Sequence, residues 1–416
     1  MFAKKEWDTL REVVMHRPGT EIDYAMISPR AFLFERPFNK NVALKEHENL
    51  QKVLEENGVK VNLLREISND LATRDHSFRE KMEKKVLDEI QFYGDLSEAQ
   101  KGKNELKKNL PYMDPDTLFN IMILCPSIDI RVDDELHMYY PKIFSNIPLT
   151  NLYFMRDQQA VTSEGVIGGR MRLPQRNKEP DLTNFIWTHK LRKENTFRVG
   201  EETSFEGGDY IPMGEFGLIG TGPRTSKEGA MSALNSGLMK HDEVFLVENP
   251  KYEFQVKDLL NNMHLDTYFN IASESVAIGS EILMKKAVGT TMVRNDDKFS
   301  PSETTTLYEY IKAKGFSILN IDPLEQLCYS SNFLTLSNSK IVCIDSYAVF
   351  KKLLKNGVMS KELVDQIGVD KSGLEERMFP NKNRMNEFGV DYIEINLEEI
   401  TGGYGGAHCM TMSLSR

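Results

Sequence analysis

The end of the chain combines a glycine-rich loop with one cysteine. Residues 402–408 (GGYGGAH) lead directly to Cys409, and the chain ends at Arg416. Glycines adopt backbone conformations that other residues rarely adopt, and they let a second group approach closely. Such a loop can present a nucleophilic thiol at the edge of a pocket. A flexible tail with a buried cysteine gives the same pattern, because free cysteine usually behaves as a small hydrophobe.

A histidine and a carboxylate two positions apart form the second candidate, His264 and Asp266. On a β-strand their side chains would leave the same face. A carboxylate beside a histidine holds one tautomer and keeps the ring basic, as general acid–base catalysis requires. A metal-binding pair or a histidine satisfied within the core are the alternatives. The metal alternative is weakened because no second His or Cys lies at a recognisable ligand spacing.

Further carboxylates and arginines lie near predicted turns. Glu206 precedes two glycines at the predicted end of a strand, and Asp157 ends the apolar stretch 151–157 (NLYFMRD). A buried Asp157 would need a cationic or hydrogen-bonding partner, which an internal arginine could also supply. Arg176 and Arg224 follow turns and suit bidentate capture of a carboxylate, although most arginines in loops are only solvated.

Recurring helix–glycine–strand units predict an α/β fold around these residues. A helix over 42–57 is followed by Gly58 as a stop signal and by a strand over 59–63. The same order returns around Gly315 and around Gly389. This recurrence indicates a fold built from repeated modules.

The segment 68–145 has few strand signals and predicts a helical insert. Apolar residues over 78–90 recur at helical spacing, and Gly94 is expected to end that helix. Residues 95–98 resemble a capping box that opens the next helix. Asp114 precedes a proline and is predicted to be the N-cap of a further helix.

The composition is that of a large globular protein. The chain has 416 residues, of which 40% are hydrophobic and 27% are charged. This size suits one large domain or a domain with an insert. The expected division is an α/β catalytic domain over 1–67 and 146–416, with the insert domain over 68–145.

Charge and cysteine content limit the partners and the compartment. The net charge of −10 argues against nucleic acid and anionic membranes as main partners. No apolar run is long enough to span a bilayer, and the N-terminus lacks the apolar core of a signal peptide. The four cysteines are scattered, which is typical of a reducing compartment. We therefore expect a cytoplasmic protein.

Taken in order, five stretches of the chain resemble one family, arginine deiminase, within the guanidino-group-modifying superfamily. They extend from about residue 150 to the end and are 151–157 (NLYFMRD), 206–209 (EGGD), 222–226 (GPRTS), 263–267 (MHLDT) and 405–410 (GGAHCM). The resemblance implies a five-bladed pseudo-symmetric α/β propeller with an inserted helical bundle domain. It also implies hydrolysis of L-arginine to L-citrulline and ammonia through a covalent amidino-cysteine intermediate, without metal or cofactor.

The resemblance assigns a role to each matching residue. It makes Cys409 the nucleophile and His264 the general acid–base. The other catalytic residues that it implies are Asp157 and Asp266, which would hold the guanidinium, and Glu206, which would support the histidine. The implied substrate-binding residues are Asn151, Arg176 and Arg224 for the carboxylate, Phe154 for the apolar stem, and Gly403 and Tyr404 in the loop that closes over the substrate.

Two features depart from the family pattern. Tyr404 stands where some members carry an arginine, and the segment 346–376 is longer than the usual connection, which we interpret as a surface elaboration. The alternatives on the same fold are an agmatine deiminase, an amidinotransferase or a non-catalytic arginine-binding protein. A homo-oligomer, dimer or higher, is expected.

Overall fold

The computed structural model describes residues 2–94, 96–133, 138–253, 262–296, 298–368 and 372–416. The β-strands in these ranges are β1 Glu12–Met15, β2 Lys60–Leu63, β3 Gln91–Tyr93, β4 Pro126–Asp133, β5 Met138–Ser145, β6 Gln159–Val161, β7 Val166–Gly168, β8 Thr196–Arg198, β9 Tyr210–Met213, β10 Phe216–Thr221, β11 Glu243–Glu248, β12 Phe269–Ile271, β13 Val276–Gly279, β14 Val288–Asn295, β15 Lys298–Thr306, β16 Ser317–Asn320, β17 Leu334–Ser337, β18 Lys340–Ile344, β19 Asp391–Ile395 and β20 Met412–Ser415.

The α-helices in the same ranges are α1 Glu21–Ile27, α2 Lys40–Glu56, α3 Leu64–Arg74, α4 His76–Glu89, α5 Leu96–Asn109, α6 Pro115–Leu124, α7 Glu179–Lys190, α8 Lys227–Leu234, α9 Glu281–Lys286, α10 Leu307–Ala313, α11 Pro323–Leu327, α12 Ser346–Lys355, α13 Lys361–Ile367, α14 Leu374–Arg377 and α15 Lys382–Glu387. None of these described helices is both long and apolar enough to cross a membrane.

Five three-stranded units share one arrangement, in which the middle strand pairs parallel with a strand that follows it in the chain and antiparallel with its other neighbour. Their strand orders are β20-β1-β2, β6-β7-β8, β9-β10-β11, β12-β13-β16 and β17-β18-β19. The third unit continues through β14 and β15 into a five-stranded sheet. Helical segments connect the two parallel strands of each unit, as parallel pairing requires. The predicted α/β repetition is therefore confirmed.

The glycines that follow the repeated helices adopt the backbone conformation that the sequence pattern predicts. Gly58, Gly315 and Gly389 have φ values of +79°, +88° and +64°. A residue with a Cβ is strained in this left-handed region, so glycine is favoured where a helix turns into the following strand. The helix-ending role predicted for these three positions is confirmed.

The segment 68–145 is less helical than expected. Besides α4, α5 and α6 it contains the three-stranded sheet β3-β4-β5. Helix α4 ends at Glu89, so Gly94 ends strand β3 and not a helix, which corrects the prediction. The N-cap at Asp114 is confirmed, because its carboxylate accepts the Thr117 N–H at 2.9 Å. The predicted capping box at 95–98 begins outside the described residues, and the division into two domains stays a prediction.

The C-terminus belongs to a sheet. Strand β20 pairs antiparallel with β1, so the residues after Cys409 are fixed in the first unit. This pairing places the glycine-rich loop between β20 and the preceding strand β19. The alternative of a flexible tail is therefore wrong.

Candidate active site

The thiol of Cys409 lies in a buried, polar environment. The residue is only 4% exposed, and Sγ donates to Asp266 Oδ2 over 3.6 Å. The side-chain amide of Asn332 donates to Sγ at 3.1 Å. Burial, together with the negative charges of Asp266 and Asp157, raises the pKa of the thiol well above its ordinary value. The surrounding protein groups therefore favour the thiol over the thiolate.

His264 lies just before a 3-10 turn, Leu265–Thr267, and not on a β-strand as the sequence pattern predicted. The main-chain N–H of Leu265 donates to Asp209 Oδ1 at 3.0 Å, which draws this backbone into a turn. Because the turn rotates successive side chains, His264 and Asp266 do not share a strand face. Each binds a different set of partners.

The His264 ring is bound by carboxylates on both sides. Nε2 donates to Glu206 Oε2 at 2.8 Å, and Nδ1 lies 3.7 Å from Asp157 Oδ1. Burial opposes the charge of the ring, but these carboxylates outweigh it and raise its pKa to about 9. At neutral pH His264 is therefore an imidazolium that can donate a proton.

Glu206 is held ionised behind the histidine. Burial opposes its charge, but Arg224 and His264 lower its pKa to about 2. Its other oxygen, Oε1, accepts the Arg172 N–H at 2.9 Å. Two residues on, Gly208 allows the ring to approach, because a Cβ there would lie 2.8 Å from His264 Nδ1. The EGGD stretch thus supplies both the carboxylate and the space that the histidine needs.

Asp266 binds a second histidine. Its Oδ2 accepts the His408 Nδ1 proton at 2.7 Å, and the His408 bond lowers the pKa of the carboxyl against the opposing effect of burial. His408 Nε2 lies 3.4 Å from Glu6 Oε1, and Glu6 also binds the guanidinium of Arg416. Both ends of the chain therefore meet behind the thiol.

Arg176 is bound by two carboxylates of the protein itself. Its Nη1 donates to Asp157 Oδ2 at 2.6 Å, and its Nη2 lies 2.8 Å from Glu179 Oε2. Internal pairing was the alternative considered for Asp157. Asp157 keeps its second oxygen, Oδ1, without a hydrogen-bond partner among the described residues.

Arg224 differs from Arg176. It is equally buried, but its Nη1 has no hydrogen-bond partner within the described part of the chain. The nearest carboxylate oxygen, Glu206 Oε2, is 3.7 Å from Nη1. Arg224 therefore retains hydrogen-bonding capacity that Arg176 has already used.

These groups surround one narrow cavity. The residues that line it are Leu33, Asn151, Phe154, Asp157, Arg176, Arg224, Met263, His264, Gly403, Tyr404 and Cys409. All of them except Leu33 are buried. Every candidate from the sequence therefore lies at the cavity wall except Glu206 and Asp266, which bind His264 and Cys409 from behind.

The loop that carries Gly403 and Tyr404 is held tightly over this cavity. The carboxylate of Glu46, on α2, accepts the Ile400 N–H at 2.8 Å at the start of the loop. Tyr404 adopts φ +73°, a left-handed conformation that is uncommon for a residue with a side chain.

Asn151 donates its side-chain amide to the Phe32 carbonyl at 2.8 Å, so part of its hydrogen-bonding capacity is already used.

Sequence reasoning missed several residues of the site. His408 stands inside a stretch that resembles the family, but it received no role because its partner Asp266 is 142 residues away. Asn332 gave no signal, since it lies in a short polar stretch between α11 and β17. Glu179, three residues after Arg176, could have been found as an i,i+3 ion pair.

The described residues include no group of three His, Cys, Asp or Glu side chains placed to hold a metal ion. The expectation of a site without metal or cofactor stays a prediction.

Helices α12, α13 and α14 occupy the long segment 346–376, and none of its described residues lines the cavity.

Solved structures with similar folds define the class of protein. A dimethylarginine dimethylaminohydrolase, solved as an adduct with S-methyl-L-thiocitrulline, has a TM-score of 0.52 at 13% identity, over 97% of this chain and 99% of that one. The N-terminal domain of the cyanobacterial arginine dihydrolase ArgZ, bound to product, gives 0.52 at 13% identity over 98% of each chain. At these identities the likeness concerns the fold alone, which is an α/β fold with dimethylarginine dimethylaminohydrolase-like neighbours.

The sequence then places the chain within this class. The sequence model of the arginine deiminase family matches residues 30–416, and the chain belongs to that family. The arginine deiminase of Halobacterium salinarum is 26% identical over 100% of this chain and 96% of its own length. The arginine deiminase of Bacillus cytotoxicus is 25% identical over 98% of this chain and 96% of its own length.

Proposed function

We propose that this enzyme hydrolyses L-arginine to L-citrulline and ammonia, with Cys409 as the nucleophile. One observation carries the proposal: the Cys409 thiol, the His264 imidazolium and an Asp157 carboxylate with one oxygen free of hydrogen bonds line the same cavity. A nucleophile, a proton donor and an anion are what attack on a guanidinium requires. Family membership independently supports the choice of substrate.

Two carboxylates supply the binding site for the guanidinium. Asp157 lines the cavity, whereas Asp266 lies directly behind Cys409. Asp157 Oδ1 and Asp266 Oδ1 are both buried without a hydrogen-bond partner in the described chain. Leaving buried acceptors unpaired is costly, so a ligand that donates to them binds favourably. The planar fork of N–H groups on a guanidinium matches paired carboxylates and fixes the direction of its central carbon.

The cationic substrate also activates the thiol. A positive charge beside Cys409 offsets the two carboxylates that raise the thiol pKa, and so it favours the thiolate. As the cation binds, the thiol loses its proton to solvent. The thiolate then attacks the guanidinium carbon and forms a C–S bond. His264 donates its proton to the leaving nitrogen, the C–N bond breaks, and ammonia leaves.

The second half of the reaction reverses the role of the histidine. The amidino group is now bonded to Cys409 through sulfur. Neutral His264 takes a proton from water, and the hydroxide attacks the same carbon. The C–S bond breaks and restores the thiolate, while the added oxygen gives up its remaining proton to solvent as the C=O group of citrulline forms. Glu206 stabilises the imidazolium in both halves through the 2.8 Å bond to Nε2.

The buried arginines of the cavity suit the α-carboxylate of arginine. Arg224 has a guanidinium nitrogen, Nη1, without a hydrogen-bond partner in the described chain, whereas Arg176 is neutralised by Asp157 and Glu179. We therefore assign the main carboxylate contact to Arg224, with Asn151 and Arg176 contributing to the shape and charge of the pocket. Phe154 would cover the apolar stem of the substrate.

The remaining predictions concern architecture and context. We infer that the five three-stranded units form a five-bladed pseudo-symmetric propeller that carries 68–145 as an insert, as their common connectivity supports. A homo-oligomeric state and a cytoplasmic location are further proposals from the family resemblance and from composition.

A product assay tests the proposed function. The purified protein is incubated with L-arginine or with agmatine, and the ureido product and ammonia are both measured. We expect citrulline and ammonia in equal amounts from arginine and far less product from agmatine, which lacks the carboxylate. Preferential turnover of agmatine, or transfer of the amidino group to an added amine in place of water, would contradict the proposal.

A further inference from the structure

Asn332 makes four hydrogen bonds that converge on the nucleophile. The residue lies between α11 and β17 and is only 1% exposed. Its amide oxygen accepts the main-chain N–H groups of Gly406 at 2.7 Å and of Cys409 at 3.0 Å. Its amide nitrogen donates to Cys409 Sγ at 3.1 Å and to the Asp266 carbonyl at 3.3 Å.

The partners fix which way the amide points. The two main-chain N–H groups are obligatory donors, so they must face the amide oxygen. The NH2 group must then face the sulfur and the Asp266 carbonyl, which are both acceptors. One side chain therefore ties the thiol to its own loop and to the backbone of the residue that binds the substrate.

The sulfur needs such a donor. Asp266 and Asp157 disfavour a negative charge on Sγ, and burial excludes the water that would otherwise solvate a thiolate. Within the described chain, the donor placed on Sγ is the Asn332 amide. A fixed dipole of this kind stabilises the charge without having to reorient during the reaction.

We propose that Asn332 is a positioning residue that stabilises the Cys409 thiolate and aligns Sγ with the guanidinium site. The inference rests on the proposed role of Cys409 as the nucleophile. It goes beyond that role because it assigns the control of the thiol's reactivity to a residue outside the family-like stretches.

A matched control separates this role from mere stability. Asn270 is also fully buried, and its amide donates to the carbonyls of Ser331 and Phe333 on either side of Asn332. It does not contact Cys409 or Asp266 through any described hydrogen bond. Asn270→Ala therefore removes comparable bonds from the same segment and leaves the thiol contact in place.

The test compares Asn332→Ala, Asn332→Asp and Asn270→Ala with the wild type. Asn332→Asp keeps an oxygen for the two main-chain N–H groups and loses the donor to sulfur. Free enzyme is treated with iodoacetamide at several pH values, and alkylation of the Cys409 peptide is followed by mass spectrometry. Below the thiol pKa the alkylation rate is proportional to the thiolate fraction.

We expect both Asn332 variants to be alkylated about ten- to a hundredfold more slowly than wild type at pH 7 to 8, the range for losing a hydrogen bond to a charged group. kcat for arginine should fall by a similar factor. Asn270→Ala should keep the wild-type alkylation rate, even if it melts at a lower temperature.

Two results would overturn the inference. One is an unchanged alkylation rate in the folded Asn332 variants together with wild-type kcat. The other is a loss of kcat with an unchanged alkylation rate, which would make Asn332 purely structural. Failure of the proposed function is recognised separately, because Cys409→Ser would then remain active whatever Asn332 does.

Discussion

The two buried arginines at the cavity differ in what already binds them. Asp157 and Glu179 both pair with Arg176 at hydrogen-bonding distance. Arg224 approaches only Glu206, at 3.7 Å, and its Nη1 has no hydrogen-bond partner in the described residues. Sequence alone predicted the same task for both, namely capture of the substrate carboxylate.

This difference distinguishes charged groups that stabilise the structure of the site from charged groups that are available to bind a ligand. A charged side chain whose bonds are complete within the protein contributes rigidity, and displacing its partners costs several kcal/mol. A buried donor without a partner carries a penalty that a ligand can remove. By this criterion we propose that Arg176 supports Asp157 and that Arg224 binds the substrate.

The largest expected effect comes from removing the nucleophile. The comparison of Arg176 with Arg224 concerns catalysis only if Cys409 is that nucleophile. Cys409→Ser should lose turnover by several orders of magnitude, because an alcohol is a far weaker nucleophile at neutral pH. Wild type that is quenched during turnover should carry the mass of an amidino adduct on Cys409. Cys125→Ser, which changes a buried cysteine at the C-terminal end of α6, is the control and should remain active. Near wild-type activity in Cys409→Ser would refute the assignment.

Arg176→Ala should act mainly on stability. Removing this arginine leaves Asp157 and Glu179 buried without their cation, which typically costs about 3–5 kcal/mol. We expect a lower free energy of unfolding in chemical denaturation. Activity toward arginine and agmatine should decrease together, so their ratio should change little. A free energy of unfolding equal to that of wild type would mean that the ion pairs of Arg176 with Asp157 and Glu179 do not stabilise the fold.

Arg224→Ala should act mainly on substrate choice. The lost charge-assisted bond is worth about 1.5–3 kcal/mol, or about ten- to a hundredfold in kcat/KM for arginine. Agmatine cannot use this bond, so the preference for arginine should narrow by the same factor. Arg172→Ala is the control, because Arg172 is exposed and its replacement removes a positive charge from the surface only. An unchanged arginine-to-agmatine ratio would show that the carboxylate is recognised elsewhere, with the Tyr404 loop as the next region to test.

Local signals predicted the repeated elements of the fold well. Gly58 and Gly389 ended their helices because positive φ is a property of the residue itself. Strand β3 was missed because three residues are too short to show a period, whereas the alternation in β4 (PSIDIRVD) was a strand signal that was overlooked. The existence of β3 depends on pairing with β4, which lies more than thirty residues later.

Residue types at the site were predictable, but their partners were not. The prediction that His264 and Asp266 share a strand face was wrong, because the N–H of Leu265 binds the distant Asp209 and the backbone turns. The bond between Asp266 and His408 likewise joins parts of the chain far apart in sequence. Contacts between parts of the chain that are distant in sequence also decide which arginine keeps a nitrogen without a hydrogen-bond partner. The distinction between Arg176 and Arg224 therefore required the structure.

A smaller effect is expected from the titration of His264. Its pKa is about 9 in the folded protein and about 6.5 when unfolded. A raised pKa contributes stability that is complete below about pH 6.5 and is lost as the pH rises toward 9. Between these values the free energy of unfolding should fall by up to about 1.4 kcal/mol per pH unit from this group. Chemical denaturation of wild type and His264→Gln at pH 6, 7.5 and 8.5 measures the free energy of unfolding at each pH. If this free energy changes with pH equally in the two proteins, the raised pKa of His264 is contradicted.

The smallest expected effect is that of chelation, which should leave activity unchanged. A metal ion would need a lone pair on His264, but the ring is an imidazolium at neutral pH, with Nε2 bound to Glu206 and Nδ1 facing Asp157. One oxygen of Asp266, Oδ2, is likewise occupied by His408. Activity is measured after exhaustive treatment with a zinc chelator, with a zinc hydrolase treated in parallel to verify that the chelator works. Loss of arginine turnover that zinc restores would make His264 and Asp266 metal ligands, and the division between supporting and substrate-binding groups would have to be redrawn around that ion.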